Sequence, residues 1–564
     1  MLDAANKTLL GRIVLIAVAA VTLVVAPYTV LDPINLPKLT TLAFFAVIAL
    51  TVMVPGIRNL FRSEFRALAI LVSLFILQIS LTLLFSGANI GAQIYGTYTR
   101  NTGALAYISL ALLLLSSSLV SDREFLRRFM GLTLIIGAFL ILYGNIQYLG
   151  LEPLPYTNAY TVNAPTGTFG NSNFQSAFMG LIAVVAFAMA LNSAFILQAR
   201  IGLALMGFGA VVVIYETLSS QGYLNFVAGI GVVAILWLFM IQRKALGIAV
   251  AGLGFLGGSL VFLALINSGP LARFIYDSSI AARGYYWRAG MKMLIDHPVF
   301  GVGMDGYINW YRRSRPADYF ENGFFSFSDS AHNVYLDIAS SGGFALLGVY
   351  VTLSALVITS VVRVVRRNDG FDPFFVATVG AWVAYHVQSF VSLNQLGLAT
   401  WGWVLSGLII GYEINTRVRD MNKEVSTKVK STGKKARVLA QSLSAKTILS
   451  LFAGTIIAAL VAVPVYSANA QFYAALKTGD INSIESAARQ KPRDERRLYV
   501  LAGIYRDNMA DIKAIAVLRD ATVRYPDSFD LWNLWMTIPT ASPSDVASAK
   551  AQLKRLDPHN PDFK

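Results

Sequence analysis

Thirteen apolar stretches, most of them close to twenty residues, limit what this chain can fold into. They lie near 12–30, 38–56, 66–86, 102–120, 129–149, 173–194, 200–218, 222–241, 245–266, 335–362, 373–393, 398–415 and 447–467. A spanning helix needs about 20 apolar residues. Inside a bilayer the backbone has no water to bond, so each stretch must close its own hydrogen bonds as a helix. The expected class is an all-α polytopic membrane protein, with about twelve core spans and a thirteenth. Composition agrees: 55% of residues are hydrophobic and 14% charged, against about 25% charged in soluble domains. The first stretch is longer than a signal-peptide core and reads as a retained span.

The loops alternate in charge. One set carries Arg58, Arg62 and Arg66; Arg123, Arg127 and Arg128; Arg200; Arg243 and Lys244; Arg363, Arg366 and Arg367; and the basic stretch 416–446. The other set comprises 29–37, 87–101, 151–172, 219–221, 267–334 and 394–397; its long member 267–334 mixes arginines with carboxylates, and the rest are poor in basic residues. Basic loops stay cytoplasmic. The N-terminus is therefore expected inside, and the second set outside together with residues 468–564. The formal net charge of +15 then reads as positive-inside bias and contact with membrane lipids, not as nucleic-acid binding. With no cysteine and four histidines, disulfides are excluded, and neither a metal nor another cofactor is expected.

Four parts follow: a membrane domain over 1–415 with the large polar loop 267–334, a basic cytoplasmic linker over 416–446, the extra span 447–467, and a charged helical segment over 468–564. Pro492, Pro526 and Pro558 recur in that last segment at intervals of 34 and 32 residues. A period near 34 is that of the tetratricopeptide repeat. The segment reads either as a docking surface for a protein partner or as a helical appendage resting on the membrane domain.

Chemistry concentrates in the polar loop. Charges beside a bilayer are expensive and mark sites, and a membrane protein has no evident folding reason to gather arginines there. His332 follows the loop and precedes a span, with Asp329 three residues earlier. A histidine can take a proton from a hydroxyl, and a carboxylate can orient it. Arg283 and Arg288 flank Trp287 on a helical segment. A guanidinium fork matches phosphate or pyrophosphate, although Arg and Trp also serve as interface anchors. Arg100, in another outward loop, is a third candidate. Gly301-Val302-Gly303 reads as a tight turn or a short phosphate cradle. Asn171 and Asn173 read as a helix-cap cluster or, with Asn333, as amides suited to sugar. His297 before Pro298 reads as a helix stop. His386, within a span, reads as packing glue beside a polar cavity.

These residues resemble the O-antigen ligase superfamily. The resemblance rests on Arg283-x-x-x-Trp287, Asp296-His297-Pro298-x-x-Gly301-x-Gly303, Asp329-x-Ala331-His332-Asn333 with Leu336 and Gly342, Gly167-Thr168-Phe169-Gly170-Asn171-x-Asn173, and Asp32-Pro33-x-Asn35-x-Pro37-Lys38. It covers about 1–415. It implies a membrane glycosyltransferase of the C type in a bacterial plasma membrane. Such an enzyme passes glycan from an undecaprenyl-pyrophosphate donor to an acceptor hydroxyl on a glycolipid, glycan or protein, without a metal and with inversion. On that likeness His332 matches the proposed base and Arg283 the pyrophosphate arginine. Where the superfamily often has Ser-Arg-Gly, this chain reads Ser219-Ser220-Gln221-Gly222. Gln221 offers a hydrogen bond without charge, so Arg100 or Arg288 is expected to compensate. Two other classes compete: a transporter or flippase of polyprenyl-linked sugars, and a non-catalytic assembly protein. A transporter would put its polar site at the midplane on broken helices.

Overall fold

The computed structural model describes residues 2–152, 154, 164–324, 327–367, 370–428 and 444–563, with the side chains of 419–428 excepted. Residues 429–443 of the basic stretch 416–446 and part of the loop 151–172 lie outside the described residues. The protein is an all-α polytopic membrane protein. Among the described residues, eleven helices are long and apolar enough to cross a membrane. The shorter apolar Ala104–Val120 and the long Leu396–Lys428 stand where the other two stretches were expected.

The first helix departs most from its expected place. It runs over Ala4–Leu23, not 12–30. Asp3 starts it by accepting the Asn6 N–H at 2.7 Å. Lys38 stops it: its buried ammonium donates to the carbonyls of Val21, Thr22 and Val24. Those carbonyls have no intrahelical partner, and a lysine at a helix C-terminus also meets the negative end of the dipole. Beside this end, Trp401, Phe129, Phe178 and Phe169 pack ring to ring in the buried core.

The two sets of loops separate to opposite ends of the bundle. At one end Arg123 pairs with Asp372 at 3.1 Å, Arg417 with Glu64 at 3.2 Å and Lys7 with Asp122 at 3.5 Å. At the other end Asn35 donates to the Thr99 carbonyl at 2.6 Å and Tyr98 to the Leu31 carbonyl at 3.1 Å.

The polar loop is itself folded. It carries helices over Ala272–Ile275, Ser278–Asp296, Tyr307–Ser314 and Asp318–Glu321. The last three close on a small core of Ala289, Met293, Val302, Tyr307, Tyr311, Tyr319 and Ala331. His297 does stop the second of these helices, and its ring packs against Trp310 at 4.4 Å.

After the helix Ala445–Thr478 come Ile481–Ala488, Glu495–Asp507, Asp511–Arg524, Phe529–Met536 and Pro543–Leu556. Pro492, Pro526 and Pro558 each fall just beyond the second helix of a pair. This segment packs on the polar loop through the loop's own arginines. Arg315 pairs with Asp557 at 2.6 Å, with both side chains almost fully buried. Arg313 meets Asp527 at 2.7 Å, and Arg312 lies 3.9 Å over the Phe529 ring. The expectation that these arginines have no folding role is therefore corrected: they dock the C-terminal helices.

Candidate functional site

The site is built around a break in a helix. Val334–Arg367 is interrupted at Gly343, whose φ is 76°. A Cβ there would stand 2.5 Å from the Pro298 and Val299 carbonyl oxygens, so only glycine fits. The freed backbone groups are met from the polar loop. Val302 N–H donates to the Ser340 carbonyl at 2.8 Å, Gly303 N–H to Ser341 at 3.2 Å, and Phe344 N–H to Pro298 at 2.8 Å. Gln78 bridges the Val299 and Gly342 carbonyls. Gly301-Val302-Gly303 thus clamps the break, and its Val302 and Gly303 amides are spent there, not on a phosphate cradle.

Six residues before the break, Asp337 shapes the turn that carries His332. Its carboxylate accepts the Ala331 N–H at 2.7 Å and the Ser330 hydroxyl at 2.9 Å. Ser330 Oγ in turn accepts the His332 N–H at 2.8 Å. His332 is held at φ 49°, the left-handed region that few non-glycine residues adopt. Its ring lies against Tyr286, centroids 5.4 Å apart. Tyr286 and Arg283 are three residues apart on Ser278–Asp296 and so share a face. Tyr307 fixes that helix by donating its hydroxyl to the Tyr286 carbonyl at 2.7 Å.

Arg283 donates through Nη1 to Ser279 at 3.1 Å. Its Nε is buried with no hydrogen-bond partner. Burial lowers its pKa from the usual value, but an arginine remains charged at any ordinary pH. Arg100 approaches from the loop 96–103. Asp305 fixes that loop by accepting from Thr97 N–H at 2.7 Å and Thr102 hydroxyl at 2.8 Å. Arg100 Nε lies 3.9 Å from Asp329, too far for a hydrogen bond, and its buried Nε and Nη1 have no hydrogen-bond partner. Burial would depress its pKa; the carboxylates of Asp329, Asp337 and Asp305 together outweigh that and raise it. Burial raises the Asp305 pKa despite the pull of Arg100.

His332 thus sits in a field of mixed sign. Burial first, and then the Arg283 charge, hold its pKa down to about 4, with Asp329 opposing. At neutral pH the imidazole is uncharged and can accept a proton. No hydrogen bond joins it to Asp329 among the described residues. The expected carboxylate–imidazole contact is replaced by action through space, because Asp329 turns toward Arg100.

The structure gathers His332, Asp329, Arg283 and Arg100 but leaves the other expected residues elsewhere. Arg288 is five residues, or about 140°, around the helix from Arg283. Both arms of its guanidinium are held by Asp318 at 3.1 Å on the solvent side. Gln221 is buried at the start of Gln221–Met240, where the next amide, Gly222 N–H, bonds Ser176. Asn171 caps Ser172–Ala190 by accepting the Asn173 N–H at 2.8 Å. Asn333 caps Val334–Arg367 by accepting the Leu336 N–H, and its amide donates to the Phe390 carbonyl. The side chains of Asn171 and Asn333 have structural bonds that account for their place. His386 receives or donates a 2.7 Å bond with the Tyr335 hydroxyl, in keeping with packing glue.

Residues 201–351 match the family model described as O-Antigen ligase. This stretch is an O-antigen ligase domain. It takes in Arg283, Asp329, His332, the clamp and the helix break; Arg100 lies before it. No curated protein matches the chain. The O-antigen ligase family is one of membrane glycan ligases, and its substrates are lipid-linked glycan and acceptor. Asp337 and Tyr286 were not among the expected residues. A lone aspartate carries no local signal, although Asp337 stands at the helical spacing of four residues from Asn333.

Proposed function

We propose that the protein is a glycosyltransferase of the outer face of the plasma membrane. It moves a glycan from an undecaprenyl-pyrophosphate donor to an acceptor hydroxyl, without a metal and with inversion. The observation that carries this reading is an uncharged, partly open His332 beside a half-buried Arg283 whose buried Nε has no hydrogen-bond partner, inside an O-antigen ligase domain. Arg283 faces the donor pyrophosphate. Neutralising the charge that builds on the leaving group lowers the barrier to its departure. His332 takes the acceptor proton as the hydroxyl attacks C1 from the opposite side. Asp329 and Arg100 balance each other beside it and keep the pocket near neutral overall. Asp337 and Asp305 position the His332 turn and the Arg100 loop.

The two partners work in sequence. In the empty enzyme Arg283 suppresses the basicity of His332. A bound pyrophosphate offsets that positive charge, so the base strengthens once donor is in place.

The test is transfer by purified variants. General-base catalysis is worth about 10²–10⁴-fold. His332→Ala should insert and bind donor normally, yet transfer at least about a hundredfold more slowly. Near wild-type transfer would refute the role. Loss of wild-type transfer on adding a chelator would refute the metal-free route. A flippase would move donor across vesicles without forming product.

A further inference from the structure

A cavity of about 560 Å³ lies between the membrane domain and the C-terminal helices. Ligand pockets typically occupy about 300–1,000 Å³. Its first wall is formed by the loop 95–99 and by Ile308, Asn309 and Arg312; its second by residues 492–499 and 525–530. Asp329 belongs to this lining and also to the Arg100 pair beside His332. Its side chain is 30% exposed. The cavity therefore opens onto the candidate catalytic cluster.

We propose that this cavity is the acceptor site, that its acceptor is a glycan, and that the C-terminal helices are its second wall. The inference rests on the transferase reading above and gives that site its second substrate. Three features carry it. The first is the shared Asp329. The second is the lining. Arg312 and Asp329 on the membrane-domain side meet Arg493, Asp494, Glu495, Arg496 and Asp530 on the second wall, and Arg496 lies over the phenol rings of Tyr98 and Tyr499. Sugar hydroxyls both donate and accept, so carboxylates and guanidinium groups of mixed sign suit them. The apolar face of a pyranose covers a ring. A pyrophosphate would meet four carboxylates here, and a lipid chain would desolvate the charged side chains that line the cavity. The third is rigidity. Arg315–Asp557 and Arg313–Asp527 fix the second wall against the first, so the site is formed before the acceptor arrives, which reduces the ordering cost of binding.

In this arrangement the helical repeats select the acceptor while the membrane domain holds the donor. The test uses the full-length chain in its own cells. Tyr499 is replaced by a photoreactive benzophenone amino acid, and in a control strain Met509, which is 93% exposed and not part of the lining, is replaced instead. After irradiation and purification, a carbohydrate-staining adduct at 499 and none at 509 is expected. An adduct that is protein alone, or no adduct at 499, overturns the proposal. In parallel, purified Tyr499→Ala and Asp530→Asn should keep wild-type melting and bind undecaprenyl-pyrophosphate glycan within about twofold of wild type. The same two substitutions, made in cells, should cut the transferred product at least about tenfold. Product at wild-type level in both variants overturns the acceptor site while leaving the transferase reading intact. Wild-type transfer by His332→Ala would sink that reading instead.

Discussion

At the level of single residues, the field around His332 makes a pH prediction. Its pKa is held near 4 by burial and by Arg283, below the ordinary value near 6.5. The base is unprotonated above its pKa, so activity is lost as pH falls through it. Because kcat/KM for the donor reports the free enzyme, it should stay level from pH 7 down to about pH 5. In the donor complex the pyrophosphate offsets Arg283 and the imidazole pKa rises. The acid limb of kcat should therefore lie at higher pH than that of kcat/KM. Parallel profiles breaking together near 6.5 would mean that neither Arg283 nor donor acts on His332. Arg283 itself makes a second prediction. A lysine supplies the charge but not the planar fork. Arg283→Lys should lose nearly as much transfer as Arg283→Ala; retention of most activity by lysine would show that only diffuse charge matters.

The elements show why the sequence revealed some of this and not the rest. Long apolar runs announce helices because the bilayer allows little else. His332, Asp329 and Arg283 stood out because charge in a membrane protein is scarce. The clamp did not, since Gly301 and Gly303 gain their meaning only from the break at Gly343, some 40 residues further on. The role of Arg315 was hidden for the same reason: its partner, Asp557, is 242 residues away. That pair predicts how the C-terminal helices detach. Removing one member of a buried pair costs about 3–5 kcal/mol, whereas apolar replacement of both is often tolerated. Asp557→Ala should leave Arg315 uncompensated and expose the segment after Ala445–Thr478 to limited proteolysis. Arg315→Met with Asp557→Leu should restore protection. Equal protease resistance of wild type and Asp557→Ala would show that other contacts hold the segment.

Across the whole molecule, contacts tie the C-terminal helices to the end of the bundle that carries His332. Leu31 N–H bonds Asn469 at 2.8 Å, and Lys477 donates to the Tyr28 carbonyl at 2.9 Å. The basic loops gather at the opposite end. Positive-inside bias then predicts one orientation for both: basic loops in the cytoplasm, His332 and the C-terminus outside. A chain without cysteine allows a direct test, because any introduced thiol is the sole target. Arg62→Cys places one in an exposed position of a basic loop, and Met509→Cys places one on the C-terminal helices. In intact spheroplasts a membrane-impermeant maleimide should label Met509→Cys at once and Arg62→Cys only after lysis. The reverse pattern would invert the molecule and put His332 in the cytoplasm, where an outward acceptor could not reach it. Labelling of both before lysis would break the link between the two ends of the bundle and the two sides of the membrane.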